Sequence, residues 1–529
     1  MRALDSISQH SISILGSTVQ MQTLINGIMI LALGIIMSMN IAFLTKAPPV
    51  FIDEAWNANT AWNWLETGNN FDSMHAGTLD QFGHEWLRWP KLGNLPWRIS
   101  FAAFGLGLFQ ARVVSWVFGC LLLLGVILAG KRTYGLTTGL LAALILSLSD
   151  PFLQASHYAR WDIMLPAIAL FSYWLAISGM EGGKWWQHVL AGLLVGLMLD
   201  IHQNAVLFML GFAVLYLANY RTKMFKSSGT WLFALGAAIG IVYYLAAFIL
   251  PDPEAYFNLF SLSLGNTHVI PITTLNPLHL LQSVDDEIGR YHFFENSLEF
   301  ALLGASTIYI AYRRNLYDRL LLSFIAAIFL GFVLLIGNKH DVYAILLYPF
   351  FMLLVAETIV HLIRDVNSSQ AQRLFTGALL ALFLVSSSVH YIRTFVSNRD
   401  YNYDAIIEEI EPFIPAGGRV MGLPDWWLGL AEYDYSSSLN LTYYHFLNDY
   451  TLTEGFEEIK PDLLILDSDL QALLVDEGAY KSNAGFQIYQ LPRQEFEAIL
   501  NERGEKIHGF WNPWHGWFDI YVIHWDEDN

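Results

Sequence analysis

The sequence predicts a mainly α, polytopic membrane protein that ends in an α/β domain outside the membrane. Apolar residues make up 54% of the 529-residue chain and charged residues only 14%, about half the usual globular share of charge. The apolar residues gather into runs long enough to cross a bilayer, and the charge gathers elsewhere. Residues 395–529 carry 7 Lys+Arg against 25 Asp+Glu, so −18 of the net −19 lies in the last quarter of the chain. Disorder is excluded, because 18 Trp, 35 Phe and 25 Tyr cannot stay solvated. Cys120 is the only cysteine, which excludes a disulfide framework. So acidic a terminal region repels polyanions, and no nucleic-acid partner is expected.

A helix needs about 20 apolar residues to cross the hydrocarbon core. The clearest runs are 24–44, 111–130, 163–178, 205–218, 231–250, 319–337, 342–362 and 374–392. Shorter ones at 136–149, 189–199 and 298–312 bring the expectation to about eleven spans. The first run is long and no small-residue cleavage site follows it, so it reads as a signal anchor. Lys131, Arg132, Lys184, Arg221, Lys223, Lys226, Arg313, Arg314, Arg319, Arg364 and Arg373 fall in alternate loops, which places those loops and the N-terminus in the cytoplasm. An odd number of spans then leaves the C-terminal domain extracytoplasmic, in the plasma membrane of a prokaryote. The expected division is a transmembrane domain at 1–394, with long outer loops at 45–110 and 251–297, and an acidic soluble α/β domain at 395–529.

In the terminal domain, Asp404–Phe413, Thr453–Ile459 and Gln494–Arg503 have helical periodicity, and Arg419–Leu423 and Asp462–Leu466 read as strands. Gly417-Gly418 reads as a turn rather than a phosphate loop. The stretch Phe510 to Trp517 reads as an interfacial anchor, with a sugar-stacking or partner surface as the alternative.

Four places concentrate chemistry. Asp53-Glu54 follows the first span, where paired carboxylates suit general-base work or metal binding; the bland alternative is a solvated helix N-terminus. Arg160 and Asp162 precede the fourth span and equally suit a mutual salt bridge. Lys339, His340 and Tyr343 stand at the outer end of the ninth, where Lys339 and His340 suit a phosphate or simple snorkelling. Lys91 and Arg98 lie in the first long loop, and Arg112 opens the second span as the expected partner of an acid. His75, His84, Glu85, His202, His268, His279 and His292 are external, but no pair has ligand spacing, so neither a metal nor a cofactor is expected.

The order of these residues resembles a known superfamily. Asp53-Glu54-Ala55, Pro90-Lys91, Phe104-Gly105, Ala111-Arg112, Arg160-x-Asp162 and Lys339…Tyr343 with Pro349 are similar, over roughly residues 20–395, to GT-C glycosyltransferases that use polyprenyl-phosphate sugars. The protein O-mannosyltransferases and the lipid A aminoarabinose transferases are the groups most resembled. Two departures stand out. Asp200-Ile201-His202 replaces a Lys-Gly that follows a Gly-Leu-x-x-Leu run in many relatives, and Lys91 precedes Leu-Gly rather than Pro-Pro. The resemblance implies inverting transfer of a hexose such as mannose from the lipid-linked donor to an acceptor hydroxyl at the outer face. The acceptor would be a protein, a glycolipid or a wall polymer. It implies Asp53 as base, Glu54 holding the acceptor or orienting Asp53, and Asp162 on a sugar hydroxyl. Arg160, Lys91, Lys339, His340 and Tyr343 complete the expected substrate contacts. The expected partners are membrane lipids, the lipid-linked sugar and the acceptor. A flippase of lipid-linked sugars would instead need charges deep inside the spans, and a non-catalytic scaffold would leave Asp53 splayed into solvent.

Overall fold

The longest apolar runs fold as helices, because only a helix satisfies its own backbone in hydrocarbon. The computed structural model describes residues 11–14, 17–78, 90–258, 276–291, 297–313, 315–337, 339–365, 367–476 and 490–525. Among the described residues seven helices are long and apolar enough to cross a membrane: Met21–Ala42, Leu108–Thr133, Trp161–Met180, Ala205–Lys226, Ser228–Ile249, Leu316–Leu335 and Gln370–Ser397. An eighth span results if Leu136–Ser147 and Asp150–His157, bent by 73° at their junction, count as one. The protein is thus an integral membrane protein with multiple spans, but the expectation of about eleven is too high.

The physical reason is length. The apolar runs near 136, 189, 298 and 342 fold as helices of 12, 13, 17 and 17 residues. Tyr348–Arg364 is buried continuously from Tyr348 to Val360, so its apolar character on all sides reflects packing inside the bundle.

The two long loops at 45–110 and 251–297 are largely helical where described. Ile52–Thr67 and Lys91–Phe104 form a packed pair above the bundle, and Pro277–Gly289 lies in the second loop. The chain after Gln370–Ser397 forms a five-stranded mixed sheet. Its spatial order is Asp434–Ser437, Arg419–Gly422, Leu463–Asp467, Gly516–Ile523, Gly504–Asn512. The first three run parallel, and the last two form an antiparallel hairpin added to their edge. Leu463–Asp467 is the central strand and is buried along its whole length. Helices Tyr403–Ile410, Leu452–Ile459 and Arg493–Arg503 cover the sheet. The Phe510 to Trp517 stretch is the turn of that hairpin: Trp511 and Trp517 pair across the strands at 5.7 Å, and Trp514 packs on Tyr401 at 5.4 Å.

This sheet domain is hydrogen-bonded to the first of these loops. Tyr401 Oη accepts from Val50 N–H (3.1 Å), Asn440 Nδ2 donates to the Met74 carbonyl (2.8 Å), and Thr78 Oγ1 donates to Asn440 Oδ1 (3.1 Å). The turn Pro424–Trp426 packs on the helix Ile52–Thr67. The segment that carries Asp53 is therefore held between the bundle and the sheet domain.

Candidate active site

Asp53 and Glu54 occupy the first turn of Ile52–Thr67, where the helix dipole favours negative charge. One residue apart, they face different surroundings. Glu54 is fully buried and saturated. Its carboxylate accepts Arg112 Nε (2.8 Å) and Nη2 (2.6 Å), Ala159 N–H (2.9 Å) and Phe51 N–H (3.0 Å). Arg112, the acid partner expected for it now found, also donates to the carbonyls of Leu44 (2.9 Å), Pro48 (2.8 Å) and Pro49 (3.1 Å). This two-pronged pair ties the entry to the second span, the loop after the first and the start of the Asp53 helix into one knot.

The Asp53 side chain keeps a third of its surface accessible and forms an ion pair with Arg160. Arg160 Nε in turn holds Asp162 at 2.6 Å, and Asp162 is nearly buried. The Tyr343 hydroxyl hydrogen-bonds Arg160, and burial, with Asp162 adding to it, pushes that hydroxyl up to about 12, so it keeps its proton. The His340 ring lies 6.3 Å from Tyr343 and 6.4 Å from Phe51, whose ring sits under the Arg160 guanidinium. Burial, with Arg160 adding to it, lowers the His340 pKa, so the ring is neutral at pH 7. Its Nδ1 accepts from Val342 N–H at 3.3 Å. Five of the eight expected residues thus meet: Asp53, Arg160, Asp162, His340 and Tyr343.

The other three do not join that contact. Glu54 is locked in its pair. Lys91 begins the helix Lys91–Phe104, with its ammonium 5.9 Å from the Phe248 ring. That helix approaches the site through Trp161, whose Nε1 donates to Asn94 Oδ1 at 3.0 Å. Asp200 caps it: its oxygens accept Lys91 N–H (2.8 Å), Leu92 N–H (3.0 Å) and Tyr243 Oη–H (2.8 Å). Lys339 turns toward the Phe332 and Ile336 carbonyls at the end of Leu316–Leu335. Burial lowers its pKa to about 8 against the opposing pull of Glu287.

A cavity of about 600 Å³ opens beside this cluster. Phe51, Tyr158, His340 and Tyr291 line it, together with the apolar Leu148, Pro151, Val342 and Phe383 and the carboxylates of Asp150, Glu299 and Asp341. Arg290, absent from the sequence expectations, also lines it. Its guanidinium is buried, paired through Nη2 with Glu287, and lies 4.0 Å from the Phe332 ring. Its Nε and Nη1 donate to nothing among the described residues. Nothing in Glu287-Ile288-Gly289-Arg290 has motif character; only the isolation of one basic residue in a long outer loop hinted at it. Among the described residues no three His, Cys, Asp or Glu side chains converge as metal ligands. His84, Glu85, His268 and His292 lie outside the described residues.

This fold is similar to those of several solved structures. ArnT from Cupriavidus metallidurans, bound to undecaprenyl phosphate, superposes with a TM-score of 0.61 at 12% identity, over 94% of this chain and 98% of its own. Its apo form gives 0.62 at 13% identity over the same shares. The apo oligosaccharyltransferase of Archaeoglobus fulgidus gives 0.54 at 12% identity, over 94% of this chain and 75% of its own. No curated protein matches in sequence. Residues 90–261 match the family described as dolichyl-phosphate-mannose-protein mannosyltransferase. That match covers about a third of the chain.

Proposed function

We propose that the protein transfers a sugar, with inversion, from a polyprenyl-phosphate donor to an acceptor hydroxyl of a protein, a glycolipid or a wall polymer. The observation that carries this reading is the Asp53–Arg160–Asp162 chain, in which Arg160 lies over the ring of Phe51, a residue that lines a cavity between helices. An acceptor hydroxyl is a weak nucleophile, and a carboxylate taking its proton in the transition state supplies about 10²–10⁴-fold. Asp53, accessible where Glu54 is not, has that role. As the acceptor oxygen bonds to the anomeric carbon, the bond from that carbon to the phosphate oxygen breaks, and the lipid phosphate leaves with the electron pair. Donors fixed in place stabilise the growing charge. The spare Nε–H and Nη1–H of Arg290, which lines the cavity, fit that need. Arg160, held by Asp162, orients Asp53, and Tyr343 fixes Arg160.

We infer the orientation from the basic residues. Lys131, Arg132, Lys223, Lys226 and Arg313 stand at the helix ends opposite Asp53, which makes that end cytoplasmic. Charges are seated at helix ends, as in the Arg313–Asp318–Glu357 cluster at the far side, and this argues against a flippase. The test is the stereochemistry and donor class of the product. Reconstituted protein is given α- and β-linked polyprenyl-phosphate sugars and nucleotide sugars with a crude acceptor extract, and the product anomer is read by NMR. The expected result is product from the lipid donor alone, of the opposite anomer; a retained anomer or transfer from nucleotide sugars would overturn the reading.

A further inference from the structure

The end of the bundle farthest from Asp53 holds a second cavity, of about 670 Å³. The span Trp161–Met180 ends there, Ala205–Lys226 ends there, and Ser228–Ile249 begins there. The opposite ends of the same spans carry Asp162, border Asp200 and place Phe248 beside Lys91, so the two cavities lie about 30 Å apart for 20 helical residues. The second cavity shares no lining residue with the first.

Its chemistry is basic, hydroxylic and aromatic. Lys223, Lys226, Ser227, Ser228, Trp185 and His188 line it. Neither lysine forms an ion pair with any described residue. Ser227 precedes the 17-residue helix Ser228–Tyr244 without its side chain capping it, so the hydroxyl and the first N–H groups of that helix are left for another acceptor. His188, fixed by Tyr216 Oη at 2.7 Å, forms a rigid wall, and Gly229 lies close enough that any Cβ there would strike its ring. Around the mouth Trp185, Phe225 and Trp231 are largely exposed, the aromatic residues of a membrane–water interface.

We propose that this cavity binds the phosphodiester headgroup of an anionic membrane lipid in the leaflet opposite the transfer site. Lys223 and Lys226, both exposed on the connection between two spans, suit an anionic headgroup, and the exposed aromatic rim suits a ligand that arrives from the bilayer rather than from solution. The inference rests on residues the transfer chemistry does not use, so it stands or falls separately from that reading.

The test uses the full chain in detergent, titrated with phosphatidylglycerol or phosphatidylcholine and read by native mass spectrometry. At about 1 kcal/mol per lysine near a charged headgroup, Lys223→Gln or Lys226→Gln weakens phosphatidylglycerol retention about fivefold and the double variant about thirtyfold. Lys223→Arg/Lys226→Arg retains it. Equal retention of phosphatidylcholine by the wild type, or unchanged phosphatidylglycerol retention in a well-folded double glutamine variant, overturns the proposal. So does displacement of the lipid by an equimolar amount of inorganic phosphate, which marks a free-anion site. If the glutamine variant fails to fold, the wild-type lipid preference, its competition with phosphate and the arginine variant decide alone.

Discussion

Truncating Glu54 to alanine is expected to cost about 3–5 kcal/mol, because it leaves the Arg112 guanidinium buried without its counter-charge. The readout is a lowered melting temperature and loss of monodisperse protein rather than a selective loss of turnover. Lys339 allows a finer test. Its folded pKa, near 8, lies below the ordinary 10.5, so the folded protein binds fewer protons than the unfolded chain between those values. Stability carried by this group therefore rises with pH across that window. Its usefulness to a phosphate moves the other way, since its charge is lost as pH passes about 8. The KM for the lipid donor is expected to rise above that pH, and Lys339→Arg, which stays charged, should flatten the rise. A pH-independent KM in the wild type would remove Lys339 from the donor site. The sequence already marked Asp53, Arg160 and Tyr343, since charged or phenolic groups at span ends are conspicuous. It could not separate Asp53 from Glu54, because which of two neighbours faces inward depends on Arg112, 58 residues away.

At the scale of elements, the helix Lys91–Phe104 depends on a cap supplied from another segment. Asp200 accepts its first two N–H groups, and Asp200→Ala is expected to destabilise by about 1 kcal/mol, within the 0.5–2 found for lost caps. Thermal unfolding measures this, and Asp200→Asn should recover part of it. The cap gives Asp200 its place: it faces backbone N–H groups of the Lys91 helix and the Tyr243 hydroxyl. No local pattern shows this, because the partners lie 108 and 109 residues apart. Periodicity did reveal the helices Leu452–Ile459 and Arg493–Arg503 and the strands Arg419–Gly422 and Leu463–Asp467 to within a residue or two. It missed the hairpin Gly504–Asn512 with Gly516–Ile523, whose dense tryptophans masked the alternation. Short apolar helices inflated the span count for a related reason: a helix buried by its neighbours is as apolar as one facing lipid.

For the whole molecule, the sheet domain and the bundle meet at the loop that carries Asp53. Tyr401, just beyond the last span, supports Val50 three residues before Asp53, and its ring is buried. Tyr401→Phe should cost about 1 kcal/mol for the lost hydrogen bond and lower kcat with little change in donor KM, as expected of a positioning contact. An unchanged kcat would confine the sheet domain to roles away from the transfer step. The most direct test of the central claim is sugar transfer by purified wild type and Asp53→Asn in reconstituted membranes, supplied with a panel of labelled polyprenyl-phosphate sugars. Asp53 is partly exposed, and Arg160 keeps its pair with Asp162 when Asp53 is neutralised. The variant should therefore melt as the wild type does while kcat falls about 10²–10⁴-fold. Equal transfer by both proteins would contradict the account and remove Asp53 from the mechanism.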